Sequence, residues 1–194
     1  MITLLKPEEQ HQHKNGGGWV ANTATVADTA YVGPDAQVYG NAQVYDNAEV
    51  YGSAKVFGTA RVSGNAQVYG KAQVFGNAWV YDTARVYGNA QVFGNAQVFG
   101  SARVYGNARV SGDARVSGDA HVYSNAWETS PLYIQGSKHT LTNCAYGQIA
   151  IGCHFHSFSE WKKLYKKIGK ENGYTAEQIK EYGAFIAVIT KVGK

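Results

Sequence analysis

The sequence predicts a mainly β protein built as a β-solenoid, in which short strands wind around a narrow core. A valine occupies every sixth position from Val20 to Val122, which gives eighteen repeats. An alanine lies four residues after each valine, from Ala24 to Ala126, without exception. In most units Gly or Asp, followed by Asn, Ser or Thr, fills the positions between them. Self-similarity at a fixed short period indicates a repeat architecture.

A six-residue period does not fit an α-helix, because a helix of 3.6 residues per turn would scatter the valines over every face. Gly and Asn accept positive φ at little cost, so each unit is expected to be a short strand followed by a bend. Within the strand the Val and the Ala two residues before it point to the same side. We therefore expect valine and alanine inside, and polar and aromatic residues outside.

The unit, written as Val38-Tyr-Gly-Asn-Ala-Gln43, resembles the hexapeptide repeat of left-handed parallel β-helices. In that family an aliphatic residue fills the interior, a small residue fits the corner, and three hexads form one triangular coil. The resemblance covers residues 19–126 and implies about six 18-residue coils with left-handed winding, in a stack about 30 Å long. The Gly-Gly-Trp-Val start at residues 17–20 and the repeated Tyr-Gly-Asn-Ala units are similar to a bacterial and phage branch, which implies a fold and leaves the activity open.

The periodicity divides the chain into three parts, namely a lead-in at residues 1–18, the solenoid at 19–126 and a C-terminal α+β cap at 127–194. The apolar residues Ile2, Leu4 and Leu5 are expected to cover the first coil, since an uncovered solenoid end exposes unpaired strand edges. His11 and His13 lie in a polar, loop-like stretch, and we expect them to be solvated rather than to bind a metal.

The C-terminal part is predicted to contain strands and two helices. Strand-like segments lie at residues 132–135 and 148–151, separated by glycines. Ser157 with Glu160, and Thr175 with Gln178, form two capping-box patterns that each precede a helical apolar stripe. This strand-plus-two-helix cap offers helices that could also pack between subunits. The lysines of the first helix, at positions 162, 163, 166, 167 and 170, are expected to form a solvated face.

If three units form each coil, outward side chains eighteen residues apart stack in columns on three faces. The first-face column consists of Tyr39, Phe57, Phe75 and Phe93. The second-face column consists of Tyr45, Ser63, Tyr81 and Phe99. The third-face column consists of Tyr51, Tyr69, Tyr87, Tyr105 and Tyr123. Aromatic stacking is a sufficient structural reason for such columns, but phenylalanines on an outer face also favour a subunit interface. The first-face column therefore predicts a homo-oligomer, and the resemblance implies a trimer.

The last coils carry cations where earlier coils mostly carry glutamine. The candidate ligand-binding residues are Arg103, Arg109, Arg115, His121, Tyr105 and Tyr123. Arg103 and His121 fall on one face a coil apart, about 5 Å, close enough to contact one phosphate. Arg109 and Arg115 fall on other faces and could join only across a subunit boundary. Ser111 and Ser117 replace bulky aromatic residues beside these cations. The pattern predicts either a solvated basic end or an anion-binding site.

The histidines and cysteines of the C-terminal part give a weak indication of a metal site. His154 and His156 would share one side of a strand and could bind a metal together with Cys144 or His139, but no complete ligand set is present. Two cysteines, Cys144 and Cys153, are too few for a disulfide scaffold. Cys153 as a nucleophile would need a base and an orienting group that the sequence does not identify. We expect no metal and no cofactor.

Among related β-helices are acyltransferases and γ-class carbonic anhydrases, but neither pattern is matched. No loop interrupts the hexads, where the acyltransferases place a catalytic histidine, and His121 is the only histidine of residues 19–126. The sequence therefore favours a non-catalytic oligomeric protein that captures a small anionic or aromatic ligand, such as a signalling nucleotide of a phage host. The alternatives are a structural spacer or fibre component and an acyltransferase-like enzyme.

Charge and hydropathy favour a soluble protein of the cytoplasm, or of the host cytoplasm for a phage protein. The formal net charge is +4, with 18 Lys and Arg against 14 Asp and Glu, which does not by itself indicate nucleic-acid binding. The sequence contains no run of 18 apolar residues and no basic-then-apolar leader, so no membrane contact is expected.

Overall fold

The computed structural model describes residues 9–193 and contains a parallel β-solenoid of about six turns, followed by a four-stranded antiparallel sheet and two helices. The prediction of a mainly β solenoid with a strand-plus-two-helix C-terminal part is confirmed. The left-handed winding of the solenoid is implied by the resemblance and stays a prediction. Ile2, Leu4 and Leu5, which are predicted to cover the first coil, lie outside the described residues.

Three sheets form the three faces of the solenoid, and their strands are parallel except for β1 at the N-terminal edge of the first sheet. The first face contains β1 (Gln10–Gln12), β2 (Trp19–Ala21), β5 (Gln37–Val38), β8 (Lys55–Val56), β11 (Gln73–Val74), β14 (Gln91–Val92), β17 (Arg109–Val110) and β20 (Ala126–Trp127). The second contains β3 (Thr25–Val26), β6 (Gln43–Val44), β9 (Arg61–Val62), β12 (Trp79–Val80), β15 (Gln97–Val98) and β18 (Arg115–Val116). The third contains β4 (Tyr31–Val32), β7 (Glu49–Val50), β10 (Gln67–Val68), β13 (Arg85–Val86), β16 (Arg103–Val104) and β19 (His121–Val122). Within the solenoid each strand pairs with the strand one coil away, for example Val74 with Val56 and Val92.

The interior of the solenoid is filled by the repeated valines and alanines. Every repeat valine from Val32 to Val122 has no exposed surface, and the repeat alanines from Ala30 to Ala114 are equally buried. Burial of one valine side chain contributes about 1.5–2 kcal/mol by area, as an upper bound. Because the interior is full along its length, ligands can be bound only on the faces or at the ends.

The bends between strands depend on residues that accept a left-handed backbone. At Gly58, φ is 73° and a Cβ atom would lie 3.0 Å from the amide nitrogen of Gly76 in the next coil. At two bends an Asp takes the left-handed conformation instead, Asp46 with φ 58° and Asp82 with φ 60°. The carboxylate of Asp82 accepts a hydrogen bond from the amide of Gly100 at 3.0 Å, which offsets the backbone strain.

The first coil is covered by β1, which pairs antiparallel with β2. His13 follows β1 and is buried, with its Nε2 3.0 Å from the carbonyl oxygen of Ala30. The expectation that His13 is solvated is wrong, because the chain folds back over the first coil and places the imidazole against it. His11 remains exposed beside Asn22.

The last coil is one residue shorter than the others. Ala126 pairs with Arg109, and Trp127 pairs with Val110. Trp127 therefore occupies the inward position next to Val110, seventeen residues after it instead of the usual eighteen. The indole is 1% exposed and donates a hydrogen bond to the Ser124 carbonyl at 2.8 Å. Ala126 is exposed, contrary to the inward position expected from its place in the repeat, because Asn125 makes the left-handed bend one residue late, with φ 68°.

The C-terminal unit consists of β21 (Tyr133–Gln135), β22 (Thr140–Ala145), β23 (Gln148–Ile151) and β24 (His154–Ser157), which form an antiparallel sheet in that order, followed by α1 (Phe158–Glu171) and α2 (Ala176–Val192). Both predicted capping boxes, at Ser157 and Thr175, are present. The core between sheet and helices contains Leu141, Ile149, Ile151, Trp161, Tyr182, Ile186 and Ile189. Strand β22 packs on the last coil, where the amide of Tyr123 donates to the Cys144 carbonyl at 3.2 Å. Neither helix of the described chain is long and apolar enough to cross a bilayer.

Candidate functional site

The third face carries a ladder of stacked tyrosines. Adjacent rings of Tyr51, Tyr69, Tyr87 and Tyr105 lie 4.9–5.0 Å apart and within 5° of parallel. Tyr123 departs from the ladder: its ring is 5.8 Å from that of Tyr105 and tilted by 32°. The Tyr123 hydroxyl donates a hydrogen bond to Gln148 of the C-terminal unit, and this contact turns the ring away from its neighbours. The ladder is therefore continuous up to Tyr105 and opens at its C-terminal end.

A column of two arginines and one histidine runs beside this ladder. Arg85, Arg103 and His121 are register neighbours in three successive coils. Both arginines are exposed, and within residues 9–193 neither forms an ion pair or a side-chain hydrogen bond. Like charges directly opposite each other on neighbouring strands destabilise a sheet. The column therefore holds positive charge that is not neutralised by the described part of the chain.

The C-terminal unit forms a wall at one end of the column. Phe155 of β24 lies with its ring 5.8 Å from that of His121 and 6.4 Å from that of Tyr123. Between this wall and the third face lies a groove of about 450 Å³, lined by Tyr87, Arg103, Tyr105, His121, Gly152, Cys153 and Phe155. We refer to these seven residues as the third-face groove. Its volume lies in the range of small-molecule sites, about 300–1,000 Å³.

Burial sets the protonation of the polar groups in the third-face groove. Desolvation lowers the pKa of His121 below its ordinary value, and the neighbouring Arg103 guanidinium lowers it further. Desolvation also raises the pKa of Tyr105, to about 12. At neutral pH the groove therefore presents an uncharged imidazole, the protonated hydroxyls of Tyr87 and Tyr105, and one fixed cation, Arg103.

The other two candidate arginines, Arg109 and Arg115, lie on the first and second faces, where each contacts an aromatic ring of the column on its own face. The Arg109 guanidinium lies 5.5 Å from the ring centroid of Phe93 on the first face. Arg115 on the second face lies over Phe99 at 5.9 Å and donates to the side-chain oxygen of Gln97 at 3.0 Å. Within one chain the structure thus brings together Arg103, His121, Tyr105 and Tyr123, and separates Arg109 and Arg115 from them.

Ser111, which was expected to widen an anion site, lies beside a different depression. This open groove is lined by Phe93, Gly94, Ser111, Gly112, Asp113, Glu128, Thr129 and Ser130. Two of its lining residues are acidic and none is basic. It therefore does not suit an anion.

The first-face column forms the stacked ladder that its spacing predicts. The rings from Tyr39 to Phe93 lie 4.8–4.9 Å apart and within 5° of parallel. Each ring is half-buried, because it covers the faces of its neighbours. The subunit interface at Tyr39, Phe57, Phe75 and Phe93 stays a prediction.

The candidate metal ligands are spread over several environments. His154 and His156 share one side of β24, with ring centroids 6.3 Å apart, and His156 also packs edge-on against Trp161. Cys144 is fully buried, and desolvation raises the pKa of its thiol to about 12. Cys153 is exposed, and both thiols are free. Within residues 9–193 no three His, Cys, Asp or Glu side chains are grouped so as to hold a metal ion.

A small cavity of about 40 Å³ lies between the C-terminal sheet and the helices. Its lining is mostly apolar and includes Ile151, Trp161, Ile168 and Ile179. Such a volume suffices for a water molecule but not for a nucleotide-sized ligand.

Several residues in or beside the third-face groove are not among the ligand-binding residues that the sequence predicts. Arg85 and Tyr87 could have been found, because they precede Arg103 and Tyr105 by one 18-residue coil. Gly152, Cys153 and Phe155 carry no such signal, since only the folding of the C-terminal unit back onto the last coil brings them to the third face.

Comparison with known proteins supports the fold. A family model described as the YdcK beta solenoid repeat matches residues 42–58, 84–100, 90–106, 102–118 and 108–124, all within the solenoid. No curated protein and no solved structure matched the chain. The matched segments and the six turns of the structure together show that the chain is a β-solenoid repeat protein.

Proposed function

We propose that this protein is a non-catalytic oligomeric binding protein of the hexapeptide-repeat type, which captures a small ligand with an anionic group and an aromatic ring, such as a nucleotide. The observation that carries the proposal is the third-face groove, which is lined by Phe155, by two rings of the tyrosine ladder and by Arg103, whose guanidinium has no ion-pair partner within residues 9–193. The groove combines a cation, which can bind a phosphate, with aromatic rings, on which a base can stack. It lies outside the filled interior of the solenoid.

The anionic part of the ligand is assigned to Arg103. Its guanidinium is exposed and has no carboxylate partner within the described residues, so its donors are free to form a bidentate contact with a phosphate. The adjacent Arg85 adds to the positive potential. An anion bound here would relieve the repulsion within the column.

The aromatic part of the ligand is assigned to the end of the groove at Phe155. The rings of Phe155, His121 and Tyr105 meet there at centroid distances of 5.8 and 6.3 Å, and Phe155 itself is 39% exposed. Exposed aromatic rings offer stacking surfaces to a base. The neutral His121 imidazole can both donate and accept a hydrogen bond.

The resemblance extends this proposal beyond one chain. By analogy with hexapeptide-repeat proteins the chain would form a homotrimer, with the first-face column Tyr39, Phe57, Phe75 and Phe93 at the interface. Arg109 and Arg115 would then contribute to ligand binding only from a neighbouring subunit. In a phage protein, the natural role would be sequestration of a host signalling nucleotide in the cytoplasm.

Two other functions remain alternatives. A structural spacer is favoured by the stacked aromatic ladders of the first and third faces, and in that case the groove would bind no ligand. An acyltransferase-like enzyme would use His121, which is neutral at pH 7, as a base; turnover of acyl-CoA that is lost in His121→Ala would establish it and overturn the binding role.

The test combines ligand discovery with one matched pair of variants. Mass spectrometry of the purified protein should reveal a bound small anion, and calorimetry against a nucleotide panel should give measurable affinity. Arg103→Ala should weaken that affinity by about 1.5–3 kcal/mol, the scale of a hydrogen bond to a charged group, with little change in melting temperature. The control is Arg61→Ala, which removes an exposed arginine from the second face. Absence of binding in the parent protein would refute the proposal.

A further inference from the structure

We infer that the ligand lies lengthwise along the third-face groove, with its aromatic ring against Phe155 and two consecutive phosphates at Arg103 and Arg85, as in a nucleoside 5′-diphosphate. This inference rests on the proposed function and specifies the ligand class and its orientation. It assigns Arg85, one coil beyond the groove, as the residue that distinguishes a diphosphate from a monophosphate.

The two ends of the third-face groove differ in enclosure and charge. At one end Gly152, Cys153 and Phe155 line the groove together with the half-buried His121, whose imidazole is uncharged at neutral pH because desolvation lowers its pKa. At the other end the guanidiniums of Arg103 and Arg85 are exposed. A ligand with a neutral ring at one end and phosphates at the other fits this polarity in one direction only.

The spacing of the column matches a chain of two phosphates. Arg85, Arg103 and His121 succeed one another at the strand spacing of about 4.8 Å, so the column extends over about 10 Å from His121 to Arg85. In a nucleoside 5′-diphosphate the ribose and the α-phosphate separate the base from the β-phosphate. With the base at Phe155, the α-phosphate reaches Arg103 and the β-phosphate reaches Arg85.

The column also has a definite end, which limits the number of phosphates. The position below Arg85 is Gln67, and the next is Glu49, whose carboxylate accepts a hydrogen bond from the Gln67 amide at 2.8 Å. A third phosphate, or a continuing nucleic-acid strand, would approach this negative charge. The order Glu49, Gln67, Arg85, Arg103 therefore favours a ligand that ends near Arg85.

Calorimetry at fixed ionic strength with adenosine, AMP, ADP, ATP and a short oligodeoxyadenylate, together with the guanine series, tests this assignment. We expect ADP or GDP to bind at least tenfold more tightly than the matching monophosphate, and the oligonucleotide to bind more weakly than the diphosphate. Arg85→Gln should remove the diphosphate advantage, because it should weaken diphosphate binding by a much larger factor than monophosphate binding. Arg61→Gln is the control for a lost surface charge, and Glu49→Gln should improve the triphosphate relative to the diphosphate.

The possible failures are separable. If monophosphates bind with Arg103-dependent affinity but diphosphates gain nothing, or if Arg85→Gln weakens both equally, the orientation is wrong and the proposed function stands. If the oligonucleotide binds more tightly than ADP or GDP, the small-ligand assignment is overturned. If none of these probes binds, the proposed function itself fails and this inference fails with it.

Discussion

Replacing Trp127 with alanine should destabilise the protein more than any single change on an outer face. The indole occupies a valine position at the end of the solenoid core, is 1% exposed, and packs edge-on against Tyr146 at a centroid distance of 5.7 Å. A buried Trp→Ala change costs about 3–5 kcal/mol through lost transfer energy and the cavity left behind. Loss of the hydrogen bond to the Ser124 carbonyl adds about 1 kcal/mol. We expect a total of about 4–6 kcal/mol.

The matched control is Trp79→Ala, which removes the same side chain from an outward position. Trp79 is half-buried, donates to the Ser63 hydroxyl at 3.2 Å and lies 4.3 Å from the Tyr81 ring. Since no interior cavity is formed, its loss should cost about 1–2 kcal/mol, from one hydrogen bond and one ring contact.

Urea denaturation followed by far-ultraviolet circular dichroism should measure both variants, since tryptophan fluorescence changes with the substitutions themselves. The midpoint of Trp127→Ala should fall well below that of Trp79→Ala. Because each coil contacts only its neighbours, hydrogen exchange in Trp127→Ala should accelerate first in the last coil and in β22. Equal destabilisation by the two substitutions would show that Trp127 does not close the core.

Three further perturbations test other parts of the structure. Gly58→Ala should lower the free energy of unfolding by about 1–3 kcal/mol, which is more than Gly147→Ala should. Both glycines have positive φ, but only at Gly58 would the new Cβ contact the next coil. The urea denaturation midpoints of the two variants test this difference. Phe57→Glu combined with Phe75→Glu should give a soluble monomer by light scattering, and an unchanged mass would place the interface elsewhere. For His121 the pKa is lowered on folding from its ordinary value of 6.5, so the unfolded chain gains the proton first as pH falls. The neutral His121 therefore costs the protein no stability above pH 6.5, and the free energy of unfolding decreases as the pH falls below that value. In melting curves measured between pH 8 and 5, His121→Gln should lose less stability at low pH than the parent protein. An identical pH dependence in the two proteins would refute this prediction.

The sequence was sufficient to predict the repeat but not its ends. The period of six specifies the inward valines, because one residue type recurs in one environment from Val32 to Val122. Trp127 was not predicted as a core residue, since Val122-Tyr-Ser-Asn-Ala reads as one more hexad. The signal in the sequence is Ser124, which occupies a position that is Gly or Asp in every unit from Gly40 to Gly118. In this last unit the left-handed residue is Asn125, and the register shifts by one.

The candidate site was predictable only where it follows the repeat. Arg103, His121 and Tyr105 were placed together by counting eighteen residues, and the same count leads to Arg85 and Tyr87. Phe155 could not be placed in this way, because its position depends on how β22 docks on the last coil and on the antiparallel pairing of β23 with β24. Such contacts depend on tertiary packing rather than on local periodicity.

A solenoid with identical coils offers identical environments along each face, so a specific site requires a break in the repetition. On the third face three changes coincide near the last coil. Cations replace the Glu49 and Gln67 of earlier coils, the tyrosine ladder opens between Tyr105 and Tyr123, and the C-terminal unit places Phe155 over His121. The first and second faces share the change to arginine, but there Arg109 and Arg115 stack on the aromatic rings of their own columns. Among the three faces, and within residues 9–193, only the third holds arginines without an ion-pair partner beside an aromatic ring of the C-terminal unit, and the proposed binding site is therefore placed on that face.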